Sequence, residues 1–395
     1  MDVLQNILTY VGSFVLVLSV VVFVHEFGHF QVARWRGVAI DTFSIGFGKT
    51  LLSWRDKQGV EWKIGALPLG GYVKFADDAD AMSTAPREKI ESPEALAEAR
   101  AKGLFHAQSL TTRAMVVAAG PFTNFVFSIL AFALLALVMG RETTDPNNIP
   151  ARVASVAASS AAHAAGLQAG DVIVSVDGVT VRNFAELQAQ VGPAVDRQLN
   201  VVIDRAGAQQ QLQITPRRAD NGRAVLGVSG PLPLQSERVI ERFGPLEALG
   251  QGASNTWGII AQTGEYIGAI FSGRESGDQI AGPLGIINVS GQVASSALSV
   301  GPDDTTIGDR LGLLALSLLN LAAVLSVAVG FVNLLPIPIL DGGHLLFYGI
   351  EALRGGKPLP PSAQEWAYRA GFAVMASLFL FATWNDITRL FPGVQ

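Results

Sequence analysis

The chain has 395 residues, 49% of them apolar and only 15% charged, with a mean hydropathy of +0.36. An ordinary soluble domain carries about a quarter charged residues, so a purely soluble fold is excluded and membrane segments are expected. The net charge of −5 comes without a basic cluster interleaved with aromatics, which argues against nucleic acid; no cysteine is present, so any metal must be held by His, Asp, Glu or Asn.

Four stretches reach the roughly 20 apolar residues that cross a bilayer: 7–32, 114–139, 311–335 and 368–388. The first has Asp2 and no Lys or Arg before its apolar core, and no small-residue cleavage site after it, so a retained helix is predicted rather than a signal peptide. That helix carries "VVVFVHEFGHFQVARW", residues 20–35, with His25-Glu26-Phe27-Gly28-His29 as an H-E-x-x-H match. Positions i and i+4 of a helix lie about 40° apart around the axis and about 6 Å along it. Both imidazoles can therefore reach one tetrahedral Zn²⁺, with Glu26 beside them as general base. The alternative is a pair of hydrogen-bonded core histidines, but ionisable groups inside a span are functional candidates by default.

Residues 33–113 hold 12 Lys and Arg, several close to the membrane ends, and the much longer 140–310 region also holds 12. The positive-inside rule then places 33–113 in the cytoplasm and both termini and 140–310 outside. Within the first region, residues 43–75 alternate apolar and polar positions and predict a membrane-associated β-hairpin with "IGALPLGGY" as its apolar tip. Such a tip dips into the membrane only where protein satisfies its backbone. Residues 77–102 are acidic and alanine-rich and predict a polar linker or surface helix.

Residues 150–232 form a soluble unit. "ARVASVAA" reads as a strand, "SSAAHAAGLQAGDVIVSVDGVTV" as a short helix, turn and strand, and "NFAELQAQV" as a helix; two strands around an Ala-Gly turn and "RAVLGVSG" complete it. This order resembles a PDZ domain of the circularly permuted bacterial kind. Such domains bind extended peptides by strand addition, and the resemblance puts Leu226 to Val228 at the peptide-carboxylate loop. A spacer or steric screen is the alternative role. Residues 240–300, whose apolar run is interrupted by Glu265 and glycines, predict an interfacial amphipathic segment.

A catalytic zinc needs about three protein ligands plus water. The third span ends in "NLLPIPILDGGH", where Pro336 and Pro338 must open the helix ahead of Asp341 and free Asn333 and nearby backbone groups. Taken alone this is a helix stopped by Pro and Gly. HEFGH in one membrane helix with N-x-x-P-x-P-x-L-D-G in a later one, however, resembles the paired signature of the site-2 protease family of intramembrane zinc metalloproteases. "SIGFGKTLL", "LPLGGYVKF", "AAGPFTNFVFSILAF" and "IAGPLGIINVSG" extend the likeness over nearly the whole length, nearest to bacterial regulators of the RseP type, here with one PDZ domain instead of two.

The resemblance implies His25, His29 and Asp341 as zinc ligands and Glu26 as general base and later proton donor. Asn333 would hold the substrate backbone or help stabilise the oxyanion, and Asn124 would help hold the site or simply pack helices. Pro336, Pro338, Gly70 and Gly71 join Asn333 as candidate substrate contacts. The expected fold is an α-helical polytopic membrane protein of about four transmembrane helices, with the β-hairpin region and an inserted α+β PDZ domain. Residues 1–140 and 311–395 are the two halves of the membrane domain.

The expected function is Zn²⁺-dependent hydrolysis of single-pass membrane proteins, such as anti-sigma factors or remnant signal peptides, in the bacterial inner membrane. The partners are then the lipid bilayer, those substrates, and a peptide or substrate outer domain at the PDZ domain, which would lie across the membrane from a site near the cytoplasmic face. A non-proteolytic PDZ scaffold with a structural metal, or a metal-ion transporter, are the alternatives; Glu26 and the clustering of ligands at one face speak against them.

Overall fold

The computed structural model describes residues 3–76, 92–144, 149–218, 224–230, 238–299 and 306–390. Residues 77–91 of the expected linker, 219–223 and 231–232 of the expected soluble unit, and residue 300 lie outside them. In chain order the elements are α1 (Val3–Trp35), β1 (Ile40–Arg55), β2 (Glu61–Phe75), α2 (Pro93–Ala101), α3 (Leu110–Met139), β3 (Arg141–Thr144), β4 (Ser155–Val156), α4 (Ala161–Ala164), β5 (Val172–Val176) and β6 (Val179–Thr180). There follow α5 (Phe184–Val191), β7 (Leu199–Arg205), β8 (Ala208–Ile214), β9 (Arg217–Arg218), β10 (Ala224–Val225), β11 (Val228–Ser229), β12 (Arg238–Glu241), α6 (Pro245–Phe271), α7 (Pro283–Ser299), α8 (Ile307–Asn333), α9 (Asp341–Leu353) and α10 (Pro361–Leu390). Two compact units result: residues 1–138 with 244–395, and residues 139–243.

In the first unit, four helices among the described residues are long and apolar enough to cross a membrane: Gln5–Trp35, Leu110–Met139, Ile307–Asn333 and Pro361–Leu390. α8 stops at Asn333, because Pro336 has no N–H to continue the ladder and disfavours helical geometry at Leu335 before it. The helices meet through small side chains that let backbones approach, as is usual where lipid removes the hydrophobic drive for association. Ala323 and Val327 of α8 are buried against Ala131, Phe132 and Leu135 of α3. The Ser128 hydroxyl donates to the Ala323 carbonyl at 2.9 Å and the Ser326 hydroxyl to the Asn124 carbonyl at 3.2 Å.

The segment 240–300, expected to be interfacial and amphipathic, contains two helices, α6 and α7. α7 enters the bundle: Ala294 is buried with Val17 and Val21 of α1 and Leu318 and Ala322 of α8. Its buried face is Ser290, Gly291, Ala294 and Ala297, residues of low hydropathy whose value is close packing. The N-terminus of α7 is held by α10, where the buried Asp386 carboxylate accepts from the N–H groups of Gly282 (3.0 Å) and Gly285 (2.9 Å).

β1 and β2 pair antiparallel, but both strands bend. Ile40–Ile45 pairs with Gly71–Phe75, and Thr50–Arg55 pairs with Glu61–Gly65, while Phe43 and Ile45 also lie beside Trp62 and Ile64. The connecting turn is Asp56–Val60, where Asp56 Oδ1 accepts from Gln58 N at 2.8 Å and Val60 N at 3.1 Å. The apolar stretch 64–72 is therefore the bend within β2 and not the hairpin tip expected from its composition. Phe43 and Trp62 meet Phe30 edge to face, with ring centroids 5.3 and 5.2 Å from it, and so fasten the sheet to α1 beside the HEFGH turn.

The second unit is built on the sheet order β6-β5-β7-β8, with Ile173, Val176, Leu199, Val201, Ile203 and Ile214 in one core with Leu187 and Val191 of α5. β7 and β8 are joined by Ala206 and Gly207, both at positive φ (53° and 86°), the twist that two-residue hairpins favour. The expected strand "ARVASVAA" is divided: Arg152 bridges to Val172, whereas Ser155–Val156 pairs with β11. Asp171, almost fully buried, receives both Nε and Nη2 of Arg205 at 2.7 Å.

Candidate metal centre

His25 and His29 occupy successive turns of one face of α1, so their rings meet edge to face with centroids 4.8 Å apart and Nε2 atoms 3.2 Å apart. Asp341 opens α9 and turns Oδ2 onto the pair, 3.2 Å from His25 Nε2 and 3.5 Å from His29 Nε2. The three donor atoms lie within 4.8 Å of one another.

Each partner is delivered by a local sequence feature. Gly342 and Gly343 let the start of α9 fold against the chain that precedes it; side chains there would run into the carbonyls of Leu334, Leu335 and Ile337. On α1, Gly28 permits contact with the Ala119 carbonyl of α3. Gly120 of α3 faces the imidazoles directly, since an added methyl would strike His29 Nε2 and come within 2.9 Å of His25 Cε1. The rings therefore lie in a cradle that any larger residue would fill.

α3 also grips the far side of both rings. His29 Nδ1 is 2.8 Å from the Val116 carbonyl, an acceptor only, so this nitrogen carries a proton and, in the neutral ring, Nε2 is the bare one. His25 Nδ1 is 3.2 Å from the Asn124 carboxamide. Asp341 Oδ2 is buried without a hydrogen-bond partner. A carboxylate oxygen without a partner and two imidazole nitrogens thus converge where a bound cation would satisfy all three. Two imidazole nitrogens and one carboxylate oxygen are also the donor set of catalytic zinc sites that keep a position for water or substrate. The residues present fit Zn²⁺.

Glu26 follows His25 on α1, and its Cγ would lie 2.9 Å from a methyl added at Gly71 of β2. β2 thus runs beside the carboxylate. Gly70 lies against the Phe47 ring. Asn333 ends α8, and Pro336 and Pro338 lie in the turn that leads to Asp341, with Pro338 so near Gly371 of α10 that a methyl added there would lie 3.2–3.3 Å from it.

Sequence reasoning missed the Val116 carbonyl and the Gly28 and Gly120 contacts; a backbone acceptor leaves no sequence signal, and glycines in apolar helices are only a weak one. It also missed the brace on α9. Arg113 of α3 donates to Glu351 at 2.6 Å and lies over the Tyr348 ring at 4.9 Å. Arg113 stands just before the 114–139 stretch and Glu351 between the last two stretches, so neither was marked as an ionisable group inside a span.

The sequence matches peptidase family M50 over residues 13–378. The chain belongs to that family. It is 41% identical to a Rhizobium meliloti protein whose name places it among the zinc metalloproteases, over 98% of this chain and 99% of that one. It is 38% identical to metalloprotease MmpA of Caulobacter vibrioides, over 95% of each chain. With the regulator of sigma-E protease RseP of Salmonella typhimurium it shares 29% identity, over 98% of this chain and all of the relative. The last alignment runs over 481 positions, more than the 395 residues here, so that relative carries stretches with no counterpart. This M50 peptidase is a bacterial membrane zinc metalloprotease that performs intramembrane proteolysis, and zinc is its metal.

Proposed function

We propose that the peptidase hydrolyses a peptide bond within or beside the transmembrane segment of single-pass membrane proteins, anti-sigma factors or remnant signal peptides among them. His25, His29 and Asp341 hold the zinc in this reading. The observation that carries it is the meeting of these three side chains, next to Glu26, at the end of a membrane-length apolar helix. Zinc, when bound, supplies the positive charge that polarises the scissile carbonyl and makes water acidic enough to attack.

The chain's own residues do the rest. The Glu26 carboxylate takes a proton from the attacking water and returns it to the departing amide nitrogen. Asn333 and the backbone freed by Pro336 and Pro338 hold the substrate chain. A helical peptide bond is shielded by its own hydrogen bonds, so the substrate must unwind, and strand addition replaces those bonds. Residues 71–75 of β2 are the suited edge, because their pairings run to β1 and Gly71 brings this edge against Glu26. Ile64, by contrast, lies between Ile45 and Leu52. Lys74→Pro should lower cleavage with zinc content unchanged; unaffected turnover refutes the docking edge.

Residues 150–232 act in this proposal as a PDZ-type domain on the outer face of the inner membrane, with the zinc near the cytoplasmic face. The paired β4 and β11 beside the Leu226–Val228 loop support a PDZ-like groove. A domain across the membrane cannot hand a peptide end to the metal, so it screens out substrates with bulky outer domains. Deleting 150–230 should let untrimmed substrate be cut, and persistent discrimination refutes the screen.

The deciding experiment is Glu26→Gln. Wild type should cleave a single-span test substrate and the variant should not, with zinc retained in both. Cleavage by the variant refutes the role of Glu26, and absence of cleavage by zinc-loaded wild type on a panel of single-pass proteins refutes the substrate class.

A further inference from the structure

We propose that Asn124 is a positioning residue for the metal site: its carboxamide oxygen accepts from His25 Nδ1–H and holds that imidazole with Nε2 bare toward the metal. The proposal rests on the reading of His25, His29 and Asp341 as zinc ligands. Asn124 is completely buried inside a membrane-length helix, where an amide must be partnered.

Two orientations are open to it, because a half-turn of the amide exchanges nitrogen and oxygen. Either way one amide atom meets Nδ1 at 3.2 Å and the other is buried without a partner, so the choice rests on the ring proton. With nitrogen toward the ring, the amide donates to Nδ1. That orientation requires a bare Nδ1, which drives the ring proton to Nε2, among His29 Nε2 and Asp341 Oδ2. A protonated Nε2 cannot ligate a metal. With oxygen toward the ring, Nδ1 carries the proton and Nε2 is free.

His29 shows the same solution without ambiguity. Its Nδ1 faces the Val116 carbonyl, which only accepts, and its Nε2 faces Asp341. Both histidines thus come to one arrangement, Nδ1–H donated to an oxygen on α3 and Nε2 presented to the metal. The oxygen comes from the backbone at His29 and from a side chain at His25. An oxygen partner on the remote ring nitrogen both fixes the tautomer and raises the basicity of the ligating nitrogen. The backbone of Asn124 is fixed independently of the amide, since its carbonyl accepts from Ser326 (3.2 Å) and shares the Ser128 hydroxyl proton (2.8 Å) with the Ala323 carbonyl.

The test compares acceptor with donor. Zinc affinity of the purified full-length chain in detergent is measured by competition with a chromophoric chelator for wild type, Asn124→Asp, Asn124→Leu and His25→Ala. Loss of such an outer partner weakens metal binding by about 10–100-fold, so Asn124→Leu should fall by that factor. Asn124→Asp, which can only accept, should stay within about threefold of wild type or bind more tightly. Asn124→Leu binding as wild type does, or Asn124→Asp failing as Asn124→Leu does, overturns the proposal. Wild-type zinc affinity in His25→Ala overturns the ligand reading itself and is recognisable as that separate failure.

Should Asn124→Leu unfold, histidine-labelled ¹⁵N spectra of the zinc-free wild type decide. His25, assigned by its absence from His25→Ala, should show the Nδ1–H tautomer; an Nε2–H tautomer overturns the proposal.

Discussion

Gly120→Ala tests whether α3 shapes the metal site by leaving space. The added methyl would sit 2.5 Å from His29 Cε1 and 2.9 Å from His25 Cε1, and closer still to His29 Nε2. Ordinary carbon contacts are about 3.5–4.0 Å, so something must yield by about 1 Å. α3 cannot withdraw easily, because Ala119 next to Gly120 is in backbone contact with Gly28 of α1. The imidazoles must move instead, and His29 must strain the hydrogen bond from Nδ1 to Val116. A misplacement of about 1 Å lowers turnover by about 100-fold, or roughly 2.7 kcal/mol of barrier. Overpacking costs the fold about 1–3 kcal/mol. The assay is kcat/KM on a single-span substrate, with zinc affinity and thermal unfolding in detergent alongside. Gly312→Ala is the control, since a methyl there meets nothing within 4 Å. A Gly120→Ala enzyme that binds zinc and turns over within about threefold of wild type would falsify the cradle.

Arg113→Leu or Glu351→Leu alone should destabilise the enzyme by about 3–5 kcal/mol, because each strands a buried charge, whereas the double replacement should recover much of the loss. Thermal unfolding of all three checks this, and additive single effects would contradict the pairing. In the second unit, the Arg205 hydrogen bonds hold the Asp171 carboxyl below the usual carboxylate range. A depressed acid contributes stability above its unfolded pKa of about 4, and that contribution disappears as pH falls through the lower folded value. The stability gap between wild type and Asp171→Asn should therefore be constant near neutrality and close below about pH 4; a gap independent of pH would count against it. Asp386→Ala should lower stability by about 1–3 kcal/mol, since two N–H groups at the start of α7 lose their acceptor. An unchanged unfolding temperature would show that this end of α7 carries no such dependence.

How much was legible in the sequence depended on how local the cause was. The pairing of His25 with His29 follows from helix geometry alone, and the break before Asp341 follows from two prolines. The β1–β2 hairpin was legible as strands, but its turn was misplaced: the apolar stretch 64–72 suggested a tip, while the ordinary turn chemistry of Asp56 and Gly59 formed the reversal. α7 escaped notice as a packed helix because its contact face is Ser, Gly and Ala, which contribute close approach and little hydropathy. The Arg113–Glu351 brace pairs residues far apart in sequence, and no local pattern predicts which charge meets which.

The same contrast explains how the proposed metal site can exist inside an apolar bundle at all. Unpartnered imidazole or carboxylate groups in hydrocarbon are costly. In the proposed site the helices that supply the ligands do not also supply their support. α1 presents His25 and His29, α9 presents Asp341, and α3 provides what these side chains need on their outer sides: the Val116 carbonyl, the Asn124 amide and the open face at Gly120. α3 also fastens α9 through Arg113. One helix therefore sets ring orientation, ring spacing and the approach of the third ligand together. Perturbations at Gly120, Asn124 and Arg113 should consequently be non-additive in zinc affinity, because each acts through the same few atoms. Independent, additive losses would mean that α1 and α9 hold the site without α3.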